Sequence, residues 1–83
     1  MDSAAPHNVV IYWRPGCPFC ERLSDVLGDA AKRATWLNIW EDPQAAAYVR
    51  SVNDGNEVVP TVVIGEVAHT NPDPFDVLAA LSR

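Results

Sequence analysis

The chain has 83 residues, 48% apolar and 20% charged, with a formal net charge of −5. That length allows one small domain, residues 1–83, and the apolar content supports a core and speaks against disorder. The acidity argues against nucleic acid or an anionic membrane surface as partner and otherwise serves solubility. Residues 1–6 show no basic stretch followed by an apolar run, so no secretory signal is read, and the apolar runs are far too short to span a membrane. The expected compartment is therefore the reducing cytoplasm, where a lone cysteine pair is catalytic or metal-binding more often than structural.

Val9-Val10-Ile11-Tyr12-Trp13 is an unbroken β-prone run, as in a strand covered on both faces. Pro15-Gly16 breaks it, and a helix is expected over residues 18–32, with Pro18 in its first turn, where no N–H is needed. Cys20, Leu23, Leu27 and Ala31 form one stripe on this helix, widened by Phe19, Val26 and Ala30, while Glu21, Arg22, Asp25 and Lys32 point away. Residues 35–40 read as a second strand. Asp42-Pro43 is an N-cap followed by proline, opening a second helix with Ala45, Val49 and Val52 on one face, and Asn53-Asp54-Gly55-Asn56 stops it. Residues 61–64 and 67–69 form an antiparallel pair about Gly65-Glu66, and Asp73-Pro74 caps a last helix with Leu78 and Leu81 turned inward. The order β-α-β-α-β-β-α, with a right-handed crossover between the first two strands, predicts an α/β fold: a four-stranded mixed sheet flanked by three helices.

The chemistry centres on Cys17-Pro18-Phe19-Cys20, the only two cysteines, at the strand-to-helix junction. Positions i and i+3 on a first helical turn bring Cα atoms to roughly 5–6 Å, the separation a disulfide prefers. The free N–H groups and partial positive charge of a helix N-terminus favour a thiolate there. On the stripe above, Cys20 faces inward and Cys17 sits at an exposed mouth, which makes Cys17 the nucleophile and Cys20 the resolving thiol.

With this motif, Val59-Pro60-Thr61 and Thr70-Asn71-Pro72 in place, the chain resembles the glutaredoxins of the thioredoxin fold, and especially the mycoredoxins, which work with mycothiol instead of glutathione. The likeness runs from about Val9 to Leu81 and is strongest over residues 51–62. It implies that Arg14 is the basic residue beside the thiolate, that Phe19 is the aromatic of the usual Cys-Pro-Tyr-Cys, and that Pro60 follows a cis bond. It further implies that the backbone of Val59 pairs with an extended thiol substrate, and that Thr70, Asn71 and Asp73 grip the small thiol. Thr70-Asn71-Pro72 stands where typical glutaredoxins carry Gly-Gly. Proline at 72 removes an N–H that could hold a carboxylate, which suits mycothiol, with its neutral sugar–inositol body, better than glutathione with its two carboxylates. Pro18-Phe19 is closer to ordinary glutaredoxins than to mycoredoxins, and the turn at Gly65-Glu66 is a residue shorter. The Trp-Ser-Gly-Phe-like C-terminal signature of redoxins that feed ribonucleotide reductase is absent from this sequence.

The expected function is thus thiol–disulfide exchange on S-thiolated or disulfide-containing proteins. The resemblance supplies a low-molecular-weight thiol, mycothiol or glutathione, as cosubstrate together with its NADPH-dependent reductase, no bound cofactor, and a monomer. Competing readings are a redoxin served by glutathione or directly by a thioredoxin reductase, and a dimeric iron–sulfur carrier, which proline right after the nucleophile disfavours. Zinc on Cys17, Cys20, His7 and His69 is weaker, because His7 lies near the terminus and His69 on a strand away from the turn. Trp13, Trp36 and Trp40 are expected in the core and sheet packing, Trp13 being nearest the cysteines in sequence.

Overall fold

The structure, a computed structural model, describes residues 8–82. Four strands, β1 (Val9–Trp13), β2 (Thr35–Asn38), β3 (Thr61–Ile64) and β4 (Val67–Thr70), form one sheet in the order β2-β1-β3-β4. The helices are α1 (Pro18–Leu27), α2 (Pro43–Val52) and α3 (Pro74–Leu81). The β1–β2 pair is parallel, Val10 facing Thr35; β1–β3 and β3–β4 are antiparallel, with Ile11 opposite Val62 and Val62 opposite His69.

Side chains alternate across a strand, so β1 supplies two cores. Val9 and Ile11 point to one face and pack with Leu23 and Leu27 of α1, Val62 of β3 and Val77, Ala80 and Leu81 of α3. Tyr12 points to the other face, where Ile39 and the Ala45, Ala46 and Val49 face of α2 gather, and its ring stacks on Tyr48 at 5.0 Å. Burying Ile11, Leu23, Val62 and Leu81 removes roughly 1.5–3 kcal/mol of apolar exposure each.

Four expectations about elements need correction. The first helix ends at Leu27, not Lys32: Gly28 takes φ +53° and residues Gly28–Arg33 continue as a tighter 3₁₀ turn, so Ala30 and Ala31 only lean on the core. The second strand stops at Asn38, and Trp40 is 63% exposed in the loop that follows. Ala46, not Val52, completes the inner face of α2, since Val52 lies a turn beyond and is exposed. Phe19 does not widen the α1 stripe; it is 58% exposed at the helix start.

Candidate active site

The parallel crossover sets the start of α1 just beyond the carboxyl end of β1, with the left-handed Gly16 (φ +73°) turning the chain between them. Cys17 is the N-cap of α1, with extended backbone at φ −98°. Its Sγ accepts the Cys20 backbone N–H at 3.2 Å, the role a Ser or Asp oxygen usually fills. The same sulfur donates to the Val59 carbonyl at 3.7 Å, across 42 residues of sequence. The Val59–Pro60 bond is cis.

The expectation of an exposed Cys17 is corrected here. Both thiols are free, and both are only 3% exposed. The α1 stripe buries Cys20, as its spacing implies, whereas Cys17 is covered by the turn at Val59, which no local pattern around position 17 encodes. The Cys20 thiol is pushed up to about 12, first by burial and then by hydrogen bonding to Cys17, against a smaller opposing pull from the backbone and charge of Arg14.

Arg14 is half-buried and within electrostatic reach of the cysteine pair. Its guanidinium lies 5.6 Å from the centroid of the Trp40 ring and donates to the Pro15 carbonyl at 3.1 Å. Pro60 is buried, and its carbonyl accepts the Asn71 N–H at 2.8 Å. Asn71 has φ +47°, a left-handed conformation asparagine tolerates better than most residues. Asp73 caps α3, its Oδ1 accepting the Phe75 N–H at 2.9 Å. The Thr70 hydroxyl donates to Asn53 Oδ1 at 2.6 Å.

The structure therefore brings Cys17, Cys20, Val59, Pro60 and Asn71 into one chain of contacts, with Arg14 beside it. Phe19 stands outward at the rim, and Thr70 and Asp73 are engaged with neighbouring protein groups. A cleft of about 560 Å³ lies on the other side of α1, lined by Trp13, Arg14, Cys20, Ser24, Lys32 and Trp36 among others. Trp36 is fixed there by donating from Nε1 to the Ala31 carbonyl at 2.8 Å. Sequence reasoning missed Asn53 and Thr61, which tie down the Val59 turn, and the Trp40 ring beneath Arg14; Thr61 was visible only as part of Val-Pro-Thr, and Asn53 only as a helix stop. Among the described residues no three His, Cys, Asp or Glu side chains group as metal ligands, and His7 lies outside those residues.

Comparison with known proteins agrees with this geometry. The sequence model of the Glutaredoxin family matches residues 9–69. Mycoredoxin 1 of Corynebacterium glutamicum is 37% identical over 75 residues, covering 89% of this chain and 92% of that protein. A Mycobacterium tuberculosis protein named among the glutaredoxins is 36% identical over 78 residues, 90% of each chain. Among solved structures, the solution structure of glutaredoxin from Brucella melitensis superposes with a TM-score of 0.60 at 29% identity, covering 90% of this chain and 77% of that one. A thioredoxin-like protein reaches 0.71 at 20% identity over 89% of this chain and 99% of its own, a likeness of fold alone. The cysteine pair at the head of α1, the cis-proline turn facing it and this extent of family likeness lead to one conclusion: the chain belongs to the glutaredoxin family, close to the mycoredoxins, and is a thiol–disulfide oxidoreductase.

Proposed function

We propose that the chain, a single domain over residues 1–83, reduces mixed disulfides between proteins and mycothiol in the cytoplasm, with Cys17 as nucleophile. The observation that carries this reading is the Cys17 sulfur at the α1 N-cap, accepting the Cys20 N–H at 3.2 Å. That donor fixes the sulfur at the helix terminus, and a hydrogen bond of this kind strengthens as an acceptor gains negative charge, so the attacking atom is held in place through the exchange. Arg14 adds positive charge nearby.

In the reaction the Cys17 proton leaves to water and its thiolate attacks the mycothiol sulfur of the mixed disulfide. The protein–mycothiol S–S bond breaks, the client leaves as a thiolate that takes up a proton, and a Cys17–mycothiol disulfide forms. A second mycothiol thiolate then attacks that mycothiol sulfur, freeing Cys17 and yielding the small-molecule disulfide, which an NADPH-dependent reductase returns to thiol. Cys20 can replace the second mycothiol, closing the Cys17–Cys20 disulfide. A thiol held protonated, as burial holds Cys20, is a poor attacker, which favours the route through a second small thiol. Because Cys17 is covered, the incoming disulfide displaces the Val59 carbonyl and takes its place against the Val59 backbone.

Mycothiol is favoured over glutathione at the corner made by Thr70, Asn71 and Asp73. Pro72 has no N–H, the Asn71 N–H is taken up by the Pro60 carbonyl and the Phe75 N–H by Asp73 Oδ1, so few donors remain for a carboxylate. Phe19 at the rim offers the client an apolar contact. The test is an NADPH-coupled assay with mycothiol and its reductase set against glutathione and its own. Turnover with mycothiol is expected to be higher by about tenfold, a difference of about 1.4 kcal/mol. Equal turnover would remove the mycothiol assignment. Cys17→Ser loses all activity, whereas Cys20→Ser retains removal of mycothiol from a client; full activity in Cys17→Ser would exclude the mechanism.

A further inference from the structure

We infer that Asn53 is a positioning residue for the thiol site, holding the Val59 turn over Cys17 through Thr61. The inference rests on the reading that Cys17 is the reacting thiol.

Asn53 ends α2, and its carboxamide joins three elements, α2, β3 and β4. Nδ2 donates to the Val49 carbonyl at 2.8 Å and to Thr61 Oγ1 at 3.2 Å, while Oδ1 accepts the Thr70 hydroxyl at 2.6 Å. Thr61 is the buried polar side chain among the described residues, at 0% exposure. Its hydroxyl donates onward to the Val58 carbonyl at 2.7 Å. Buried hydroxyls are costly unless paired, and this one is paired on both sides. The path then runs one residue along the backbone to Val59, whose carbonyl faces the Cys17 sulfur at 3.7 Å. The network requires an amide at 53. An aspartate would set a carboxylate against the Val49 carbonyl and lose both donations. None of these groups touches Cys17 except through the turn, so the action of Asn53 is indirect.

The two thiols have different covers. Val59 lies over Cys17, whereas Cys20 borders the Trp13–Trp36 cleft on the far side of α1. Loosening the turn therefore bares one sulfur and leaves the other. The full reduced chain is treated with iodoacetamide at pH 7, and the initial rate at each cysteine is read by peptide mass spectrometry. Asn53→Ala and the near-isosteric Thr61→Val are expected to raise the Cys17 rate roughly fivefold, what one hydrogen bond of ordinary strength gives, with the Cys20 rate unmoved. Thr61→Ser, which keeps the hydroxyl, reacts like the unaltered chain. An unchanged Cys17 rate, a parallel rise at Cys20 reporting general loosening, or a Thr61→Ser rate matching Thr61→Val would each overturn the inference. The label is read on the sulfur itself, so this outcome is independent of whether Cys17→Ser abolishes turnover, which tests the underlying reading.

Discussion

At Cys20 the burial that makes a good inner thiol also ties stability to pH. Its ordinary value of 9.0 is raised to about 12 in the folded chain. The folded state thus keeps a proton that the unfolded chain gives up near 9, so this stabilisation is complete below that pH and lost as pH rises from there toward 12. The urea midpoint of the reduced protein should fall between pH 8 and 10, at a limiting slope of roughly 1.4 kcal/mol per pH unit above the unfolded value. Cys20→Ser, with no thiol to ionise, should fall less over that range, and equal slopes would show that Cys20 is not the source. Tyr12, raised by burial and then by Tyr48 and Asp42, acts with the same sign at higher pH, so the lower half of the window reports Cys20. Arg14 makes a different kind of contact: its guanidinium lies over the Trp40 ring and near the cysteines, and among the described residues it forms no ion pair.

Among the elements, the helix starts follow one rule and the stops do not. All three helices begin with a capping side chain followed by proline: Cys17-Pro18, Asp42-Pro43 and Asp73-Pro74. Those starts were legible because capping is local chemistry, and the cysteine of α1 sits where the other two helices place a carboxylate. Asp73 was read from family likeness as a substrate-gripping residue, yet it is also a cap, and substitution can separate the two roles. Asp73→Ala should lower stability by about 1 kcal/mol. Asp73→Asn keeps the cap and removes the charge, so it should preserve stability and, for a substrate with a neutral body, leave KM unchanged in the reductase assay. A raised KM in Asp73→Asn would mean that the carboxylate reads the substrate. The end of α1 was harder to read: Ala30-Ala31 continue a helical pattern, but Gly28 at φ +53° turns the chain first. The overlong second strand has a related cause: Ile39 is buried and apolar, and its N–H still donates to the Trp13 carbonyl of β1 at 2.9 Å, but the chain turns from this residue on. Burial of Cys17 was illegible for a different reason. Its cover comes from Val59, and a contact across 42 residues leaves no periodicity to detect.

Taken whole, the molecule is a sheet with α1 and α3 on one face and α2 on the other, and the redox pair lies where β1 hands the chain to α1. That placement gives the two sulfurs separate surroundings, the Val59 turn for Cys17 and a tryptophan-walled cleft for Cys20. The three tryptophans, expected together as packing residues, therefore differ in what they can sense. Trp13 and Trp36 line the cleft with Cys20, whereas Trp40 is 63% exposed. Closing the disulfide draws the sulfurs to about 2.05 Å and removes the thiol hydrogen bonds, which alters the cleft wall next to Trp13. A Trp36→Phe/Trp40→Phe variant, leaving Trp13 alone, should change its emission between the reduced and oxidised forms, and a Trp13→Phe/Trp36→Phe variant, leaving Trp40, should respond far less. A stronger response from Trp40 would mean that oxidation acts mainly through Arg14 and the loop after β2, and that the cleft is a bystander to the exchange.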